Sequence, residues 1–148
     1  MTATLTSPAS TNALVTVGRP KLQVALAGDD VANTFGIVVR QANLRDAQRS
    51  RAVLRAGVRD QANYVVALEI QAAIAPVADS ARASAGAATG DEQTVRYVGT
   101  AHGLSTLIRD IYAAEVADAV IITPIDGSPT AARVREQVLP LFAEAFAA

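Results

Sequence analysis

Apolar and polar positions change period several times along the chain. Leu22, Val24 and Leu26 alternate within residues 21–27, and Gly28-Asp29-Asp30 breaks the run. That pattern predicts a strand leaving into a turn. Residues 35–39 form a second β-branched run and predict a second strand. Helical spacing then takes over. Asn43 suits an N-cap, and Leu44, Ala47, Leu54 and Val58 share one face of a helix running to about residue 60. Residues 64–70 return to strand period, with Val66, Leu68 and Ile70 on one side and Ala67, Glu69 and Gln71 on the other. Pro76 opens a short helix, and a small-residue loop follows it at residues 85–90. Residues 95–98 are extended and lead into Gly99-Thr100. Leu104, Leu107, Ile108 and Ile111 then mark an amphipathic helix over residues 101–114. Residues 117–123 are almost continuously apolar, as parallel strands covered on both faces are. After the Asp126-Gly127 turn, Ser128 is placed to cap a last helix with Pro129 at its first position. Val134, Val138, Leu141 and Phe142 are its expected inner face.

Strands alternating with helices predict the α/β class, with about four mainly parallel strands. Residues 1–20, rich in Ser, Thr, Asn and Ala, read as a loose tail, with a short edge strand at 13–17. Residues 21–148 read as one α/β domain.

Composition narrows the chemistry. The chain has 148 residues, 51% of them apolar and 18% charged, enough for one folded core. A net charge of -1 gives no overall field for nucleic acid or an anionic membrane. No cysteine is present and His102 is the one histidine. Thiol nucleophiles, disulfides and histidine-rich metal centres are therefore excluded. Apolar stretches are too short to span a bilayer, and no basic-then-apolar leader opens the chain. The expected location is the cytoplasm.

Three features recur in a fixed order: Gly99-Thr100 at a helix start, Ala117-Asp118-Ala119 opening an apolar strand, and Val138-Leu139-Pro140-Leu141 closing the last helix. In that order they resemble the C-terminal half of the luciferase-like flavin monooxygenases. The helix from Asn43, the strand from Tyr64 and Ile74-Ala75-Pro76 are similar to the segment upstream in that family. The resemblance covers about residues 21–146. It implies part of a (β/α) TIM-type barrel holding the last four strands, and an oxidoreductase context with FMN or the deazaflavin F420. Carried over residue by residue, it makes Gly28, Gly99 and Thr100 cofactor-binding candidates and His102 the catalytic candidate. No metal ligands are implied.

Each candidate has a plainer reading. His102 can contact flavin or substrate or act as a base, or be a partly exposed residue at a helix start. Asp29 and Asp30 stand where the family holds phosphate. Two carboxylates repel a phosphate, and Asp and Gly also form ordinary turns. Gly99-Thr100 and Ser128 can offer N–H groups to an anion or simply cap helices. Glu69 and Gln71 can line a barrel mouth or meet water, and water is the expectation. Arg51, Arg55 and Arg59 share a helix face, which reads as solvated. A half-barrel leaves open sheet edges. The expected partner is therefore a second copy of the chain or a subunit covering the edge. The alternative to a flavin protein is a non-catalytic structural or interaction module that has lost the flavin site.

Overall fold

The computed structural model describes residues 18–86 and 93–147. The strand expected at 13–17 and most of the 85–90 loop lie outside them. Five strands form one parallel sheet: β1 (Gln23–Leu26), β2 (Ile37–Val39), β3 (Val66–Ile74), β4 (Val95–Gly99) and β5 (Ala119–Pro124). Between and after them run α1 (Asp30–Asn33), α2 (Leu44–Arg55), α3 (Ala78–Ala85), α4 (Ala101–Ala113), α5 (Ser128–Arg133) and α6 (Leu139–Ala147). The α/β layering and the parallel sheet are those the sequence pattern predicts.

Strand β3 is the axis of the sheet. One of its edges pairs with β5, Ala67 opposite Ala119. Its other edge takes β2 at Val66–Leu68 and β4 at Ile70–Ile74. Strand β1 pairs with β5, Gln23 opposite Ala119. Leaving β4 aside, the order β2-β3-β5-β1 is that of a ring opened between β1 and β2. The two strands at the opening approach each other: Gln23 and Ile37 line one cavity of about 320 Å³.

The two faces of the sheet differ. Val24, Leu26, Val66, Leu68, Ile70, Val120 and Ile122 pack against Leu104, Ile108, Val134 and Val138 in the main core. Leu68, Ile70 and Leu104 have no exposed surface, so truncating any of them to Ala costs about 2–5 kcal/mol. The other face is built from Ala25, Ala67, Ala119 and Ile121 under Ala32 and Phe35. Phe35 and Val65 also border the cavity at the opening, so the alanine face is the one turned toward it. Small side chains let the strands curl over one phenyl ring.

Element ends follow local chemistry. The Asn43 side chain accepts from the Asp46 N–H and caps α2. That helix ends at Arg55, short of residue 60, because Gly57 turns the chain at φ 80°. Strand β3 runs four residues past its expected end, since β4 pairs with that extension. Helix α3 starts at Ala78 rather than Pro76. Ser128 does not cap the last helix. It is the first helical residue, Gly127 occupies the cap position at φ 79°, and the Asp126 carboxylate accepts from the Thr130 N–H. Residues Val134–Val138 form a π-helical turn joining α5 to α6. Pro140 has no N–H to give Glu136, and the Leu139 N–H bonds instead to Val134, five residues back.

Candidate functional site

The carboxyl ends of parallel strands are where α/β folds gather ligands, and most of the sequence candidates lie there. Gly28 follows β1 at φ 93°, a conformation that suits a residue without a Cβ. Asp29 sits at the cap position of α1, a single turn, but its side chain makes no cap bond. The carboxylate is held instead by Arg135 of the π-helical turn, with Nη1 and Nη2 at 3.0 and 2.8 Å. The Arg135 hydrogen bond holds Asp29 below the ordinary carboxylate range, against an opposing effect of burial.

Thr100 caps α4: its hydroxyl oxygen accepts from the Gly103 N–H at 3.1 Å. Gly99 and Gly103 leave room for the Tyr97 phenol, which a Cβ at either position would strike. The Tyr97 hydroxyl donates to the Thr100 carbonyl oxygen at 3.2 Å. His102 is exposed in the first turn of α4. Thus Gly99, Thr100 and His102 are neighbours, whereas Gly28 is not among them. Strands β5 and β3 lie between β1 and β4, which separates their ends by about 14 Å across the sheet.

Glu69 does not simply face water. Its side chain is 17% exposed and accepts from Arg40 Nε at 2.8 Å and from the Thr123 hydroxyl at 3.2 Å. Gln71 is buried outright. Beyond them, the buried Thr130 hydroxyl accepts from the Ile74 N–H, and Arg133 donates to the Ile74 carbonyl oxygen. These bonds fasten the last helix to the end of β3.

The amino ends of the strands hold the strongest electrostatic feature. The Asp118 side chain has no exposed surface. Its Oδ1 accepts from Arg19 Nε at 3.0 Å and from Arg51 Nη2 at 2.9 Å. Its Oδ2 accepts from Arg55 Nη1 at 3.2 Å and from the Val66 N–H at 3.1 Å. Burial pushes the Asp118 carboxyl up, and the bonds from Arg51, the Val66 N–H and Arg19 outweigh it, leaving it below the ordinary range. Arg51 and Arg55 are therefore buried ion-pair partners, contrary to the expected solvated face. Arg59 alone of that stripe is exposed. The remaining guanidinium N–H groups bond to carbonyls: Arg19 to Tyr112 and Ala117, Arg51 to Glu115, and Arg55 to Tyr64 and Gln61. Arg19 also stacks on Tyr112, 3.7 Å from the ring centre. The sequence carried a signal for this cluster. Asp118 is the one charge within residues 116–122, and Ala47, Arg51 and Arg55 recur at i, i+4, i+8.

No protein-family model matches the chain, and no curated protein matches it in sequence. A solved flavin enzyme shares its fold. The crystal structure of riboflavin lyase (RcaE), with modified FMN and its substrate riboflavin, aligns at a TM-score of 0.58 and 14% identity. The alignment covers 82% of this chain and 42% of that one, so the chain spans less than half of riboflavin lyase. That enzyme has the TIM-type luciferase-like fold. At this identity the likeness is one of fold.

The described residues do not fit an enclosed isoalloxazine. The alanine face has no open floor: Ala67 and Ala119 are 0% exposed, and Phe35 lies over them. The Thr100 oxygen is engaged in capping, and Asp29 opposes a phosphate unless Arg135 is released to it. Among the described residues, no helix is long and apolar enough to cross a membrane.

Proposed function

We propose that this chain is a non-catalytic α/β module of luciferase-like fold that works by associating with a second chain, most simply another copy of itself. The observation that carries this is how fully the carboxyl-end groups are used within the fold. Thr100 caps, Gly99 accommodates Tyr97, Asp29 holds Arg135, and His102 stands alone on the surface. A general base needs a partner and a substrate pocket, and His102 does not line the cavity at the opening.

Association is supported at the β2 edge. On α2 beside it, Val53 and Leu54 are 75% and 38% exposed. Val53 and Leu54 border a cleft of about 460 Å³ with Arg40 and Arg49. Exposed apolar side chains bordering a cleft are a surface that a partner chain covers. Light scattering of the purified chain at micromolar concentration is expected to give a dimer mass, and Val53→Glu is expected to shift it toward monomer. A monomer in the parent protein refutes the association.

One observation favours a second reading, in which FMN or F420 binds through its phosphate. Arg135 brings a guanidinium to Gly28-Asp29, where the family resemblance puts that group. Titration with FMN and F420, followed by thermal unfolding, separates the readings. The module predicts no rise in melting temperature. A saturable rise that disappears in Arg135→Ala favours the phosphate site.

A further inference from the structure

We propose that the groove at the amino end of the opening between β1 and β2 binds a small amphipathic anion, an oxyanion head on an apolar or aromatic body. Two cavities, of about 320 and 740 Å³, share Gln23, Thr34, Asn63 and Val65 and so form one groove. Each falls within the range of about 300–1,000 Å³ typical of small-molecule pockets. The groove lies at the opposite end of the strands from Gly28 and Thr100, and the inference does not rest on the reading above.

Charge selects the ligand. The charged side chains lining the groove are Arg19 and Lys21, and no carboxylate lines either cavity. Arg19, Arg51 and Arg55 share the single carboxylate of Asp118. The cluster therefore carries two positive charges more than negative. Glu115, 69% exposed and 3.6 Å from Arg51, offsets one of them from outside. A low-dielectric wall next to uncompensated positive charge raises the local concentration of anions. Lys21 is exposed and makes no ion pair among the described residues. Its ammonium is free to meet an oxyanion at the mouth.

Shape and polarity select the rest. Val31, Val65 and Phe35 supply apolar walls. The Thr34 hydroxyl donates to the Val31 carbonyl oxygen, which leaves its oxygen able to accept. The Gln23 amide borders both cavities. A flat body carrying one polar substituent fits between these walls with its anionic end toward Lys21.

The test is an amide NMR titration of the full chain with phenyl phosphate, with phenol as the neutral counterpart. Saturable shifts are expected at Gln23, Gly36, Asn63 and Val65. Phenol is expected to bind more weakly. Lys21→Glu is expected to weaken phenyl phosphate by about fivefold or more. Val31→Glu, which puts a carboxylate at a site already 43% exposed, is expected to act in the same direction. Both positions are exposed, and an unchanged melting temperature separates loss of binding from loss of fold. The proposal is overturned by an absence of saturable shifts, by shifts centred on Gly28 and Asp29, by phenol binding as tightly, or by affinity unchanged in both variants.

Discussion

Asp118 and Asp29 are ion-paired aspartates at opposite ends of one sheet. Asp118 lies at the amino end with no exposed surface and takes bonds from three arginines and a backbone N–H. Asp29 lies at the carboxyl end, 31% exposed, and holds the single Arg135, itself 54% exposed. The arginines at Asp118 come from the segment before β1 and from α2, and their spare N–H groups tie down the chain reversals before β3 and β5. Arg135 joins only one loop to one turn of helix. Water competes for Asp29 and is shut out from the Asp118 carboxylate. The same pair of residue types therefore locks the fold in one place and can exchange partners in the other. In TIM-type barrels, too, the amino ends of the strands serve stability.

Substitutions can break this contrast, and the largest effect belongs to Asp118. Asp118→Asn leaves two buried guanidiniums and the partly buried Arg19 without their carboxylate. It is expected to cost about 3–5 kcal/mol, lowering the melting temperature by roughly 10–20 °C in a scanning calorimeter. A parent-like melting temperature in that variant would falsify the view that the cluster holds the fold.

The pH dependence follows from the direction of the shift. The folded state holds the Asp118 carboxyl below its usual range. The stability it contributes is therefore present above the unfolded value, about 3.9, and is lost as pH falls through the lower folded value. Unfolding midpoints in urea should fall as the pH drops below about 4. Asp118→Asn should flatten much of that dependence, and an equal slope in the variant would assign acid sensitivity to other carboxylates.

Thr100→Ala removes the cap of α4 and is expected to cost about 1 kcal/mol, measured by denaturant titration. A much larger loss would mean that Thr100 does more than cap. Arg135→Ala should leave the melting temperature unchanged within error, because both partners are solvated. A clear drop would erase the proposed difference between the two ends.

Most of the layering was legible because the periods are clean. Val66, Leu68 and Ile70 point to the main core as their alternation requires, and Leu104, Ile108 and Ile111 do so at helical spacing. The Asn43 cap follows from its position alone. Leu54 and Leu141 fit the helical pattern yet stand 38% and 54% exposed. Each lies at the margin of its stripe, where spacing cannot tell whether a neighbouring element reaches over it. The stripe containing Arg51 and Arg55 was misjudged for the opposite reason. Charged residues normally face water, and their carboxylate lies more than sixty positions away in sequence.

The sequence by itself determined the alternation of strands and helices, the Asn43 and Thr100 caps, the absence of thiol chemistry and the apolar set of the main core. These depend on contacts within about one helical turn or two strand positions, and spacing encodes them directly. Tertiary structure alone decided that β1 joins β5, that Phe35 fills the alanine face, that Arg135 takes Asp29 and that three arginines converge on Asp118. Each of these joins segments distant in the chain, and the partner is chosen by which surfaces the folded layers leave to be covered.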